Sequence, residues 1–127
     1  MGATLAAQQI DKLAAASQVD NFVGIAGAFL GLKNCGYYPF NVWSSTCGSA
    51  GLSVYNPFLD SIYTVPLGEK VYSIKSYIDQ IVCSTGSCNV GGVHSSCIAN
   101  GDATFTYALG HFGLQTDTAV KQYQLIQ

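Results

Sequence analysis

Three of the five cysteines and one of the two histidines of the chain fall within residues 83–97, which read CSTGSCNVGGVHSSC. Thiolates and imidazoles are the usual zinc ligands, and paired cysteines form disulfides. A thiolate beside a histidine can also act as a nucleophile. The residue types of this segment therefore permit a metal site, a disulfide, or a cysteine-dependent active site.

The metal hypothesis depends on spacing. Cys83, Cys88, His94 and Cys97 follow the pattern C-x4-C-x5-H-x2-C. Structural zinc sites usually present two ligands from one tight turn, at a spacing of about two to four residues. The pattern here is compatible with zinc but matches no zinc module, so we predict neither a metal nor a cofactor.

The disulfide hypothesis is favoured because the chain is rich in cysteine for its length. Two intrachain bridges would leave one thiol over, and each bridge would stabilise the fold by about 2–4 kcal/mol. The spacing does not choose the pairing. The candidates are Cys35, Cys47, Cys83, Cys88 and Cys97. This content predicts an extracellular, secreted mature form, with the opening Met-Gly read as an added start.

The catalytic hypothesis starts from the unpaired cysteine. Cys47 precedes His94 and His111, an order that resembles cysteine peptidases in which a cysteine at a helix start precedes two histidines on strands. The resemblance implies Cys47 as nucleophile with His94 or His111 as base. No G-x-S-x-G elbow, phosphate-binding loop or paired-carboxylate motif supports an enzyme. The sequence therefore favours a non-catalytic protein and keeps a small Cys-His hydrolase as an alternative.

Two short segments resemble cell-wall modules. Residues 63–74, YTVPLGEKVYSI, resemble the opening of a LysM module. This resemblance implies that backbone and side chains around Thr64 to Gly68 hold the N-acetyl groups of a glycan, with Tyr63 as a further contact to the ligand. Residues 110–124, GHFGLQTDTAVKQYQ, resemble the end of a helical peptidoglycan-binding module. Both resemblances imply a cell-wall glycan as the partner.

The periodicity predicts an α+β fold in a single domain covering residues 1–127. Apolar residues at steps of three and four predict a long N-terminal helix, or a helix pair broken near 17–20, over residues 3–33. Gly- and Pro-rich loops and short strands follow, and Thr116 or Asp117 is predicted to cap a short C-terminal helix. A strand is expected at Ala103, Phe105 and Tyr107. The predicted core of the middle segment is Ile62, Val65, Val71, Ile74, Ile78 and Ile81.

Composition limits the classes of partner. Charged residues make up only 9 % of the chain, and all five basic residues are lysines, with a net charge of −2. Without arginine or a basic cluster, nucleic-acid binding is not expected. No apolar stretch reaches the about eighteen residues that a membrane-spanning helix needs. Tyr37, Tyr38 and Trp43 lie together in a Gly/Pro loop and are predicted to form an interaction surface.

The sequence therefore predicts an extracellular, disulfide-stabilised, non-catalytic protein that self-associates. Such a homo-oligomer would be the subunit of a filament, a shell or a surface layer. The alternatives are a secreted module that binds a glycan or small ligand, and the small Cys-His hydrolase.

Overall fold

The centre of the fold is a three-stranded parallel sheet in the order β1-β2-β5. A computed structural model describes residues 1–127. The strands of this sheet are β1 (Asn21–Ile25), β2 (Lys70–Lys75) and β5 (Ala103–Thr106), and β3 (Asn89–Val90) pairs with β4 (Val93–His94) in a small antiparallel ribbon. The helices are α1 (Gly2–Lys12), α2 (Phe40–Trp43), α3 (Pro57–Ile62), α4 (His111–Thr116) and α5 (Ala119–Leu125).

Apolar side chains cover both faces of the sheet. On one face, Phe22 of β1 and Val71 of β2 are neighbours in register and pack in the same cluster as residues of α1 and α3. On the other face, Ile74 of β2 is fully buried and packs with Leu114 of α4. Burial on both faces is typical of parallel sheets, whose crossover connections place helices on each side.

The predicted mixture of helices and short strands, stapled by disulfides and with a short C-terminal helix, is confirmed. The long N-terminal helix is only partly confirmed, because α1 ends at Lys12 and residues 21–25 form β1. A short apolar run is also the pattern of a parallel strand buried on both faces, so periodicity alone did not separate the two. The cap of α5 is Thr118, and not Thr116 or Asp117.

The predicted core was wrong at Ile78 and Ile81, which are 62 % and 37 % exposed. Both residues follow the end of β2, in a turn where their backbone is used but their side chains face outward. Ile62, Val71 and Ile74 are buried as predicted.

Two disulfides join Cys35 to Cys47 and Cys83 to Cys88, and Cys97 is free. The predicted disulfide stabilisation is thus confirmed, with the pairing that the sequence left open now specified. None of the helices combines the length and the apolar character needed to cross a membrane.

The parallel arrangement brings the carboxyl ends of all three main strands to one edge of the sheet. The chain leaves this edge after Ile25, after Lys75 and after Thr106. Ligand sites of open parallel sheets lie outside the carboxyl ends of the strands. A ligand-binding or catalytic site is therefore expected at this edge.

Candidate active site

A carboxylate and an imidazole meet at the carboxyl edge of the sheet. Asp79 lies in the turn that follows β2, and His111 is the first residue of α4, which follows β5. The distance from His111 Nδ1 to Asp79 Oδ2 is 2.8 Å, although the two residues are 32 positions apart in the chain. The Asp79 side chain is 1 % exposed and that of His111 is 26 % exposed. The carboxylate is thus enclosed, while the imidazole is partly exposed to solvent.

Backbone N–H groups fix the orientation of the Asp79 carboxylate. Its Oδ1 accepts hydrogen bonds from the N–H of Ile81 at 2.8 Å and from the N–H of Val82 at 2.9 Å. Its Oδ2 is left for His111. A buried carboxylate without partners would be costly, but this one has three donors. The turn therefore presents a single oxygen to the imidazole.

The contact with Asp79 also assigns the proton of the His111 ring. A carboxylate accepts hydrogen bonds, so Nδ1 donates, and in the neutral ring Nε2 carries the lone pair. Nε2 makes no hydrogen bond within the chain, while the backbone N–H of His111 donates to Gln80 Oε1 at 2.8 Å. An imidazole oriented by a buried carboxylate, with a free Nε2, has the arrangement of a general base.

A pocket of about 280 Å³ lies against His111. It is lined by Ile25, Ala26, His111, Phe112 and Gln115. None of these side chains carries a hydroxyl or a thiol. The pocket can therefore admit a reacting group, but its own side chains do not supply a nucleophile.

Ala26 brings an unusual backbone conformation to this pocket. It follows β1 directly and has φ 49°, in the left-handed region that residues with a Cβ rarely adopt. Its N–H donates to the carbonyl of Ile74 at 2.9 Å. Such conformations cost free energy and cluster at functional sites.

The second histidine supports the turn that holds Asp79. His94 Nε2 donates to the carbonyl oxygen of Ser76 at 2.9 Å, and its Nδ1 accepts from the N–H of Ser96 at 3.0 Å. Burial lowers the pKa of His94, and the nearby Lys75 acts in the same direction. The hydrogen bond to Ser76 and the charge of Asp79 oppose this shift. Because both ring nitrogens are engaged, His94 is a structural residue and not a base.

His94 also lies beside the Cys83–Cys88 disulfide. Potential ligand atoms of these three residues lie within 4.8 Å of one another. Sulfurs joined in a disulfide are not thiolates, and only thiolates bind zinc well. In this redox state, the cluster is a disulfide packed against a neutral imidazole.

The structure does not bring Cys47 to either histidine. Its sulfur is bonded to Cys35, in a loop that follows β1, so it is not available as a thiolate. The free thiol is Cys97, whose Sγ lies 3.5 Å from Lys75 Nζ. Of the three residues considered for catalysis, only His111 lies in the pocket.

The residues predicted to bind a ligand lie in two places. Tyr37, Tyr38 and Trp43 are exposed on the loop closed by Cys35 and Cys47. Tyr63, Thr64 and Gly68 lie in the connection between α3 and β2, where the backbone of Gly68 packs closely against Val19. The two groups were predicted from separate motifs, and none of these residues lines the pocket of His111.

The sequence alone does not single out Asp79, because the seven acidic residues show no visible pair. The positions of Asp79 and His111 relative to the strands could have indicated the pair. An acid follows the strand KVYSIK and a histidine follows the strand ATFT, both within a few residues of the strand ends. Only the parallel pairing of β2 with β5 shows that these two turns meet.

The comparison with family models decides the affiliation. The model of the lipase family described as class 2 matches residues 9–124. The chain belongs to the class 2 lipase family. No curated protein and no solved structure matches it. The match includes both Asp79 and His111.

Membership of the class 2 lipase family overturns four predictions. The resemblances to LysM and to a peptidoglycan-binding module were wrong, and so were the self-assembling structural role and carbohydrate binding. The LysM-like residues are the approach to β2 and most of that strand, while the second segment forms α4 and α5. Strand turns and helix starts recur in many folds, so such short matches carry little information. The hydrolase that was kept as an alternative agrees best with the family.

Proposed function

We propose that this class 2 lipase provides the acid and the base of a serine-type hydrolase that cleaves lipid esters. The observation that carries the proposal is the 2.8 Å contact of His111 Nδ1 with the enclosed Asp79 carboxylate. The free Nε2 beside the pocket and the family membership support it.

The geometry assigns a role to each group. His111 Nε2 accepts the proton of a serine hydroxyl while the serine oxygen forms a bond with the ester carbonyl carbon. Asp79 stabilises the imidazolium that results. His111 then gives the proton to the departing alcohol as the ester C–O bond breaks. His111 Nε2 then takes a proton from water while the water oxygen attacks the acyl-serine. The carboxylic acid is released, and the proton returns from His111 to the serine oxygen, which restores the serine and the imidazole.

We place the nucleophile outside residues 1–127, because no hydroxyl lines the pocket of His111. In hydrolases built on parallel sheets, the chain order is nucleophile, acid, histidine. Asp79 precedes His111 here, as that order requires. A serine from another segment, or from another chain, would complete the triad.

The open edge of β1 suggests how such a serine arrives. β1 pairs with β2 on one side only. An unpaired strand edge is a template for a further strand. A strand added in parallel would end beside Ala26, so a serine at its carboxyl end would face the pocket of His111.

Ester hydrolysis by the protein that carries this chain together with its nucleophile tests the proposal. With a p-nitrophenyl ester and a triglyceride as substrates, we expect Asp79→Asn to lower kcat by about 10⁴, because the amide favours the wrong imidazole tautomer. His111→Gln should be at least as damaging. The exposed Asp117→Asn is the matched control. An Asp79→Asn enzyme within threefold of the unaltered kcat would exclude this role.

Active-site labelling tests the placement of the nucleophile. A fluorophosphonate should leave the isolated chain unlabelled and should label one serine outside residues 1–127 in the complete enzyme. A label on a serine of this chain would show that the placement is wrong.

We also propose that this lipase works outside the cell. Two disulfides support this location, because such bridges persist in oxidising compartments. Among the five cysteines of residues 1–127, mapped by peptide mass spectrometry of protein isolated from its native source, only Cys97 should be alkylated before reduction and all five after it. Five reactive thiols before reduction would contradict the proposal.

A further inference from the structure

A stretch of exposed apolar side chains lies on the loop closed by the first disulfide, residues 35–47, here called the aromatic loop. Trp43 is 75 % exposed and Tyr38 is 73 % exposed, and their rings lie 5.9 Å apart. The other exposed apolar residues are Tyr37, Phe40 and Val42. A groove of about 360 Å³ runs beside Phe40 and Trp43.

The aromatic loop holds these side chains in place. The Cys35–Cys47 bond closes it. Inside it, the N–H of Trp43 donates to the carbonyl of Pro39 at 3.0 Å, forming the turn α2. Five large apolar side chains on a closed, internally bonded loop are a costly surface to expose to water. A fixed apolar surface of this kind is prepared to bind a partner.

The charge pattern limits the partner. No charged residue occurs between Lys33 and Asp60. Lys33 Nζ lies 3.4 Å from Ser87 Oγ and so has a partner within the chain. The aromatic loop therefore offers no electrostatic attraction to an anionic surface. Exposed Trp and Tyr side chains on an uncharged segment suit the boundary between water and neutral lipid.

The aromatic loop is anchored at the carboxyl edge of the sheet, where the Asp79–His111 pair lies. It follows β1 after Ala26, which lines the pocket of His111. The connection is tied to the segment after Asp79: Ser95 Oγ donates to the carbonyl of Gly31 at 2.6 Å. The Asp79–His111 pair and the aromatic loop thus lie at the same end of the fold.

We propose that the aromatic loop binds the surface of a neutral lipid aggregate and so brings the pocket of His111 to its substrate. This inference rests on the proposed function, because it takes the substrate to be a lipid ester. A second copy of the chain is a weaker candidate. The aromatic loop has fewer residues than the about 20–30 that each side of a stable protein interface uses.

Trp43 allows a direct test, because it is the only tryptophan of the chain. The chain is titrated with vesicles of ether-linked phosphatidylcholine, which contain no ester for the enzyme to cleave. We expect the fluorescence of Trp43 to shift to the blue and to be quenched by brominated lipid. Salt should leave binding unchanged, because the surface is uncharged.

Matched double variants separate the aromatic loop from the rest of the surface. Tyr37→Ser/Val42→Ser keeps the reporter and should lower the partition coefficient about tenfold or more, since it removes two apolar side chains from the lipid contact. Tyr123→Ser/Val120→Ser removes side chains of equal type and similar exposure from α5. That control should bind as the unaltered chain does.

Three results would overturn the inference. The fluorescence of Trp43 could fail to shift with neutral vesicles, or binding could require anionic lipid and be lost in salt. The fluorescence could also shift without vesicles as the protein concentration rises. The last would identify a second copy as the partner. If the unaltered chain does not bind neutral vesicles but hydrolysis by the complete enzyme depends on Asp79, only this inference is wrong. If the unaltered chain binds the vesicles but Asp79→Asn does not change hydrolysis, only the proposed function is wrong.

Discussion

Replacement of Asp79 tests how its carboxylate holds the site together. Asp79→Ala removes the acceptor of the Ile81 and Val82 N–H groups and of His111 Nδ1. A buried donor left without a partner costs about 1–3 kcal/mol, and the N–H of Val82 is buried. Water can reach the exposed side of Ile81, so its contribution is smaller. We expect Asp79→Ala to lower the free energy of unfolding by about 2–4 kcal/mol.

Asp79→Asn is the sharper variant because it keeps the shape. The amide oxygen still accepts both backbone N–H groups, and only the charged contact with His111 changes. We expect a loss of about 1 kcal/mol, so the two variants should differ by about 2 kcal/mol.

Urea unfolding of the isolated chain, followed by circular dichroism, measures this difference. Asp117→Ala and Asp117→Asn, on the exposed surface, should each change stability by less than about 0.5 kcal/mol. If Asp79→Ala and Asp79→Asn were equally stable, the backbone bonds to the carboxylate would not be what fixes the turn, and the reasoning would fail.

Three further predictions concern stability. Burial lowers the pKa of His94 in the folded chain below the 6.5 of the unfolded chain. The folded state therefore binds the proton less well, so the free energy of unfolding decreases as pH falls below about 6.5, by at most about 1.4 kcal/mol per pH unit. Urea titrations at pH 7.5 and 5.5 should show this decrease. His94→Gln should remove the part of the pH dependence that His94 causes. Replacing Cys83 and Cys88 by serine opens a loop of sequence separation 5 and should cost about 2 kcal/mol, seen as a lower Tm; an unchanged Tm would mean the bond does not form. Gly31 has φ 95° and an added Cβ would lie 2.8 Å from the backbone of Val54, so Gly31→Ala should destabilise by more than about 1 kcal/mol in the same melt, whereas the unstrained Gly2→Ala should not.

Local features were predictable where one segment contained the whole signal. The alternation of Ala103, Phe105 and Tyr107 predicted β5, and the cysteine content predicted disulfide bonds, of which the structure has two. Residues 21–25 were misassigned because an apolar run with glycine fits both a helix and a strand buried on both faces. Only the pairing with β2 resolves that choice.

The candidate site was less predictable, because it forms between segments. The sequence indicated His111 as a base but paired it with Cys47 as the nucleophile. Cys47 is not available as a thiolate because its sulfur is bonded to Cys35. Its partner, Asp79, is one acid among seven, and nothing local distinguishes it. The function was judged non-catalytic because no nucleophile motif occurs in these residues. The acid and the base of a triad can lie in a segment without the nucleophile, so that absence was a poor guide.

Some predictions stay predictions. The single domain and the extracellular location are not tested by the fold or by the family match. The family match contradicts the structural assembly, but whether the chain forms a homo-oligomer at all is not tested.

The position of the ring proton on His111 tests the central claim most directly. Long-range ¹H–¹⁵N correlation spectra of the chain, with its imidazoles neutral, report which nitrogen of each ring carries the proton. The account predicts the proton of His111 on Nδ1 with Nε2 bare, and the opposite form for His94, whose Nε2 donates to Ser76. The proton of His111 on Nε2 would contradict it, because Nε2 would then have no lone pair with which to act as the base.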